Sequence, residues 1–75
     1  MIEKGRRRRV EKLAAYILYL ASRDLLGGVG RVLVRELEAE GYSYDEIVEA
    51  LNLLRSEGYS ISVVGEVIKV DLERR

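Results

Sequence analysis

From Ser60 to Asp71 the chain reads Ser-Ile-Ser-Val-Val-Gly-Glu-Val-Ile-Lys-Val-Asp, with apolar and polar residues alternating outward from Gly65-Glu66. A period of two belongs to a strand, and a two-residue link with glycine first suits a tight hairpin turn. Folding the run about that link sets Val64 opposite Val67, Val63 opposite Ile68, Ser62 opposite Lys69, Ile61 opposite Val70 and Ser60 opposite Asp71. Every pair then matches in polarity. Tyr59, Ile61, Val63, Ile68, Val70 and Leu72 form the core face of strands spanning 59–64 and 67–72, and Ser60, Ser62, Lys69 and Asp71 form the wet face. A slip of one residue would invert both faces, so the register is strongly specified.

This hairpin must find its partners inside a chain of 75 residues, which has room for a single core. With 48% hydrophobic and 35% charged residues and no proline, the composition is that of a globular domain. The sequence contains neither cysteine nor histidine. That excludes disulfides, thiolate or imidazole metal sites, and nucleophilic mechanisms built on either residue. The carboxylates of Glu36, Glu38 and Glu40, and of Asp45, Glu46 and Glu49, fall at the spacings of solvated helix faces, with no nucleophile, base and orienting group beside them. An enzyme is not expected, and no catalytic residue, metal, cofactor or small-molecule ligand is assigned. The longest uncharged apolar run, Leu13 to Ala21, is nine residues, well short of the roughly 20 that span a bilayer, so a cytoplasmic protein without membrane contact is expected. A single asparagine, no glutamine and abundant ion-pairing residues suit a thermophile, with an archaeal source expected.

Formal charge sums to zero but is not evenly spread. Residues 1–12 hold six cations, among them Arg6, Arg7, Arg8, Arg9 and Lys12, against two carboxylates. The remainder is acidic by the same margin of four. A basic arm over 1–7 joined to an acidic body can find polyanions that the body alone would repel. The competing reading is a chain end that solubilises the protein or contacts its own acidic surface.

Three helices are expected before the hairpin. Val10, Leu13, Ala14, Ile17, Leu20 and Ala21 follow helical spacing and set the first at about 8–25, ended by Gly27 and Gly28. Tyr16, Leu18 and Tyr19 place large side chains on its other sides, so helix 1 is expected to pack against a second copy in a two-fold dimer. Arg9, Lys12, Tyr16, Tyr19 and Arg23 also recur at helical spacing and could form a stripe of cations and tyrosines that grips phosphates and stacks on bases. Val29, Leu33, Val34 and Leu37 set the second helix at about 30–40, with Arg31 and Arg35 on another face. The segment Leu26-Gly27-Gly28-Val29-Gly30 lacks the Gly-Lys-Ser/Thr ending of a phosphate loop and reads as a glycine-rich link between helices, with room for Val29 in a short strand. Ser43-Tyr44-Asp45-Glu46 is a capping box that opens the third helix, at about 44–57. Ile47, Ala50, Leu51 and Leu54 form its buried stripe, leaving Tyr44, Asp45, Val48, Glu49, Asn52 and Arg55 directed away from it.

The expected fold class is α+β: three helices followed by a C-terminal two-stranded hairpin, a winged helix-turn-helix filling 8–75 as one domain. The run from Glu49 to Ile61, with its Leu-Arg-Ser-Glu-Gly-Tyr-Ser-Ile phrase, and the following Val-Val-Gly-Glu-Val-Ile-Lys-Val resemble the recognition helix and wing of biotin-repressor-type winged-helix domains. The likeness covers about Val29 to Leu72. It implies that Tyr44, Asp45, Val48, Glu49 and Asn52 face the bases of duplex DNA, that Arg31 and Arg35 meet phosphates, and that Lys69 is the cation of the wing.

Two functions follow as expectations. In the first, a dimeric DNA-binding transcriptional regulator or chromatin factor uses Arg6, Arg7, Arg8, Arg9, Lys12, Arg31, Arg35, Tyr44, Asn52 and Lys69, with RNA as the other nucleic acid such a module takes. In the second, the domain is a protein-interaction or assembly module that docks through acidic helix 3 and the apolar excess of helix 1.

Overall fold

Val10, Leu13, Ala14, Ile17 and Ala21 lie on one line down a helix, and all five are buried. The computed structural model describes residues 2–72, with side chains from Gly5 onward. Residues 1 and 73–75, part of the expected arm and domain, lie outside the described residues. The first helix, α1 (Ile2–Arg23), starts before Arg8, so within the described residues the expected arm is the first turns of a helix. Arginine is a good helix former, and two of these arginines are anchored farther along the chain.

Gly27 and Gly28 do more than end α1. Both have positive φ, +64° and +83°, the backbone of a two-residue turn in which glycine carries no steric penalty. The turn joins β1 (Leu25–Leu26) to β2 (Val29–Leu33) as a hairpin. The segment 29–33 is therefore a strand, and the second helix, α2 (Val34–Ala39), is a short element that begins where the strand ends. Its first amide, that of Val34, donates to the Glu66 carbonyl at 2.8 Å in place of a side-chain cap. The capping box opens α3 (Tyr44–Ser56) as expected: Glu46 N–H donates to Ser43 Oγ at 3.2 Å, and Ser43 N–H to Glu46 Oε1 at 2.9 Å. The terminal hairpin, β3 (Ser60–Val64) and β4 (Val67–Asp71), has the register read from alternation, pair for pair.

The four strands form one antiparallel sheet in the order β1-β2-β4-β3. This corrects the expected architecture of three helices followed by a two-stranded wing. Strands come after α1 and before α2 as well as at the C-terminus, and the helix expected over 30–40 gives up its first four residues to β2. The physical reason lies in pairing: Gly30, Val32, Val70 and Ile68 meet on one face as Gly30–Val70 and Val32–Ile68, and all four are buried. Gly30 permits this. A Cβ there would stand 2.2 Å from the Ala21 carbonyl oxygen, so only a glycine lets β2 pass directly beneath α1. α1 and α3 cover that inner face, and their buried side chains join Val32, Ile68 and Val70 in one core.

Candidate nucleic-acid interface

The outcome for the basic segment is decided residue by residue. Arg9 lies on the flank of α1 that faces α3. Its Nε donates to Glu46 Oε2 at 2.6 Å and its Nη2 to Glu46 Oε1 at 3.2 Å and to the Gly41 carbonyl at 2.8 Å, while the guanidinium stands 4.9 Å from the Tyr42 ring centre. Arg9, with the Ser43 amide next, holds the Glu46 carboxyl down at about 2, below the ordinary carboxylate range. One turn nearer the N-terminus, Arg6 Nε donates to Glu49 Oε1 at 3.1 Å, and this contact, with Asp45 and Glu46 nearby, raises the Arg6 pKa further. Arg7 meets Glu11 at 3.5 Å along the same helix. Three of the four consecutive arginines thus satisfy carboxylates of their own chain.

Arg8 does not. It sits opposite the buried stripe of α1, in line with Lys12, Ala15, Tyr19 and Arg23 at steps of four, three, four and four, and all five are exposed. Of the stripe of cations and tyrosines expected from the sequence, only Lys12, Tyr19 and Arg23 share this line. Arg9 is turned to α3 and Tyr16 is half-buried against the core, while Arg8 takes the exposed place. Tyr19 is 56% exposed, and the Arg23 guanidinium lies 5.5 Å from its ring centre. At 1.5 Å per residue, the stripe from Arg8 to Arg23 runs about 22 Å.

Where α1 ends, the line of cations continues onto the outer face of the sheet. Arg23, Asp24, Arg31 and Glu36 border one shallow depression, and Asp24, Arg31, Glu36 and Lys69 border the next. Arg31 and Lys69 are direct cross-strand neighbours, with Ser62 beside Lys69 on β3. Two like charges side by side weaken a sheet unless something else answers them. Among the described residues, Arg8, Lys12, Arg23, Arg31 and Lys69 make no ion pair within 4.0 Å, whereas Arg35 is 3.8 Å from Glu66.

The remaining expected residues fall elsewhere. Tyr44 is 59% exposed and borders, with Val48, Val63 and Arg55, a shallow apolar groove between α3 and β3. Asn52 is exposed, but its Oδ1 accepts from Arg55 Nη1 at 3.2 Å. Tyr16, Leu18 and Tyr19 do not form one patch: Tyr16 and Leu18 lie about 200° apart around the helix, both half-buried against the core, and Tyr19 belongs to the cationic stripe. Among the described residues no group of three acidic side chains is placed to hold a metal ion, and no helix is long and apolar enough to cross a membrane.

The sequence reading put Arg23 in the stripe with Arg9 and Tyr16 and counted Arg8 among the DNA-binding residues, without joining the two. The signal was available, because the direction opposite Val10, Leu13, Ala14, Ile17 and Ala21 passes through Arg8, Lys12, Tyr19 and Arg23. Comparison with protein-family models, with curated proteins and with solved structures returned no match.

Proposed function

We propose that this protein binds nucleic acid, duplex DNA first, along the outer face of α1, with Arg8, Lys12, Arg23, Arg31 and Lys69 as the phosphate-contacting cations. One observation carries the reading: these five cations follow one another across the exposed surface with no ion-pair partner among the described residues, while Arg6, Arg7 and Arg9 are engaged internally. Such a track supplies affinity without base-specific contacts, because phosphate contacts position a protein and carry no sequence information directly. Tyr19 adds an exposed ring beside Arg23 for stacking on a base or packing on a sugar. A role in transcription regulation or chromatin organisation, in the cytoplasm of a thermophile, fits a binder of this kind.

The second reading, docking of a protein on acidic α3, draws less support. Glu46 and Glu49 are already held by Arg9 and Arg6, so the acidity of that helix is largely answered within the fold.

Fluorescence anisotropy on duplex DNA across a salt series tests the proposal. Log affinity is expected to fall with log salt by about 0.9 for each phosphate neutralised, so up to five contacts give a slope of up to about 4.5 in magnitude. Absence of binding at low salt overturns it.

A further inference from the structure

A sheet has two edges, and this one treats them differently. β1 is two residues long, too short to template another strand. β3, at the opposite edge, is five residues, Ser-Ile-Ser-Val-Val, without a single charge in a chain that is 35% charged. Edge strands of soluble monomers are commonly blunted by charge, proline or a bulge, and β3 has none of these.

The register determines which backbone groups face outward. Gly65, at φ +63°, and Glu66 make a two-residue turn, so Val64 and Val67 are the hydrogen-bonded pair that closes the hairpin. Counting back by twos, Ser62 and Ser60 also bond to β4, and the N–H and C=O groups of Ile61 and Val63 point away from it. A contact already in place agrees: Arg55 Nη2 reaches the Ile61 carbonyl at 3.2 Å from outside the ladder. On the helix side of the strand, Val63 is 41% exposed beside Tyr44 and Val48 at the mouth of the groove.

We infer that β3 is a homodimer edge, pairing antiparallel with β3 of a second copy about a two-fold axis at Ser62. In that register Ile61 faces Val63 of the partner copy, and its Val63 is faced by the partner's Ile61. Each of these pairs exchanges two backbone hydrogen bonds, four in all, and Ser62 faces its own counterpart. The occupant is a second copy because the pattern is self-complementary: outward groups one residue either side of Ser62 match their own reversal. β3 carries no charge of its own, so no like charges are opposed between its own side chains across the pairing. The Ile61 oxygen has two lone pairs and can accept from Val63 of the second copy while Arg55 holds the other. Ile61 of that copy then lies beside Val63, extending the apolar surface between Val48 and the strand. The result is one continuous eight-stranded sheet.

The molar mass of the full chain in solution, measured by sedimentation equilibrium over a range of concentrations, reads this directly. The wild type is expected to shift from 8.6 kDa on dilution to twice that mass on concentration. Ser62→Lys and Ser62→Glu should each remain at 8.6 kDa, because each sets two like charges face to face on the axis. An equimolar mixture of the two should recover the doubled mass. The pair guards against a folding artefact: within one chain the new lysine stands beside Lys69 and the new glutamate complements it, so their effects on the monomer are opposite. Val63→Pro removes an outward N–H and leaves the bonds to β4 in place, and it too should stay monomeric, with its circular dichroism retained. A wild type at 8.6 kDa throughout, or a doubled mass that Ser62→Lys leaves intact, overturns the inference.

Discussion

Arg8 and Arg9 are adjacent, chemically identical and about 100° apart on the same helix, and that rotation separates two roles. Arg9 enters a cluster of Glu46, the Gly41 carbonyl and the Tyr42 ring, whereas Arg8 faces solvent. Arg9→Ala is expected to lower the melting temperature clearly more than Arg8→Ala, which removes no hydrogen bond or ion pair among the described residues; thermal melts followed by circular dichroism check the order. The pH dependence follows from Glu46. Its carboxyl is depressed to about 2 in the fold from an ordinary 4.5, chiefly by Arg9, so its stabilising contribution is present above about pH 4.5 and is lost as pH falls toward 2. In Glu46→Gln that part of the acid limb should vanish, leaving a flatter dependence of unfolding free energy between those values, read from urea titrations. The capping box was legible because its partners are three residues apart. Arg9 and Glu46 are 37 residues apart, and no local rule couples them.

At the scale of elements, the segment from Val29 to Leu37 satisfies two periods at once. Val29, Leu33, Val34 and Leu37 fit a helix face, while Val32 and Val34, buried between exposed Arg31, Leu33 and Arg35, fit a strand entering a helix. Local pattern alone does not break such a tie; the cross-strand partners Ile68 and Val70 on β4 do, and they lie more than thirty residues away. The glycine pair at 27 and 28 between apolar dipeptides was the available hairpin signal, and it also serves as a helix stop, which masked it. The terminal hairpin had no such competitor, since its alternation fits only a strand and its two halves are adjacent. Gly30 is where β2 and α1 constrain each other most tightly. Gly30→Ala places a methyl against the Ala21 backbone and is expected to cost at least the roughly 1–3 kcal/mol typical of overpacking, measurable by urea unfolding. Gly5→Ala, with open space around its Cβ position and a helical backbone, should instead be neutral or stabilising.

Over the whole molecule, the local excess of positive charge was legible from residue counts, but its deployment was not. Whether a cation is free depends on which carboxylates the fold brings to it, and α3 brings Glu46 and Glu49 to Arg9 and Arg6 while nothing among the described residues answers Arg8, Lys12 or Arg23. The basic residues thus divide into an inner set that holds α1 on α3 and an outer set that the proposed function assigns to phosphate. The most direct test compares two variants in the same salt series on duplex DNA: Arg8, Lys12 and Arg23 changed together to alanine, and Arg6 and Arg9 changed together to alanine, each at a temperature where circular dichroism shows it folded. On this division the outer variant is expected to keep the wild-type melting temperature closely and to lose salt slope by up to about 2.7, at 0.9 per phosphate contact, while the inner variant keeps the slope and loses thermal stability. An outer variant that binds with the wild-type slope, or an inner variant that accounts for the loss of binding, would contradict it.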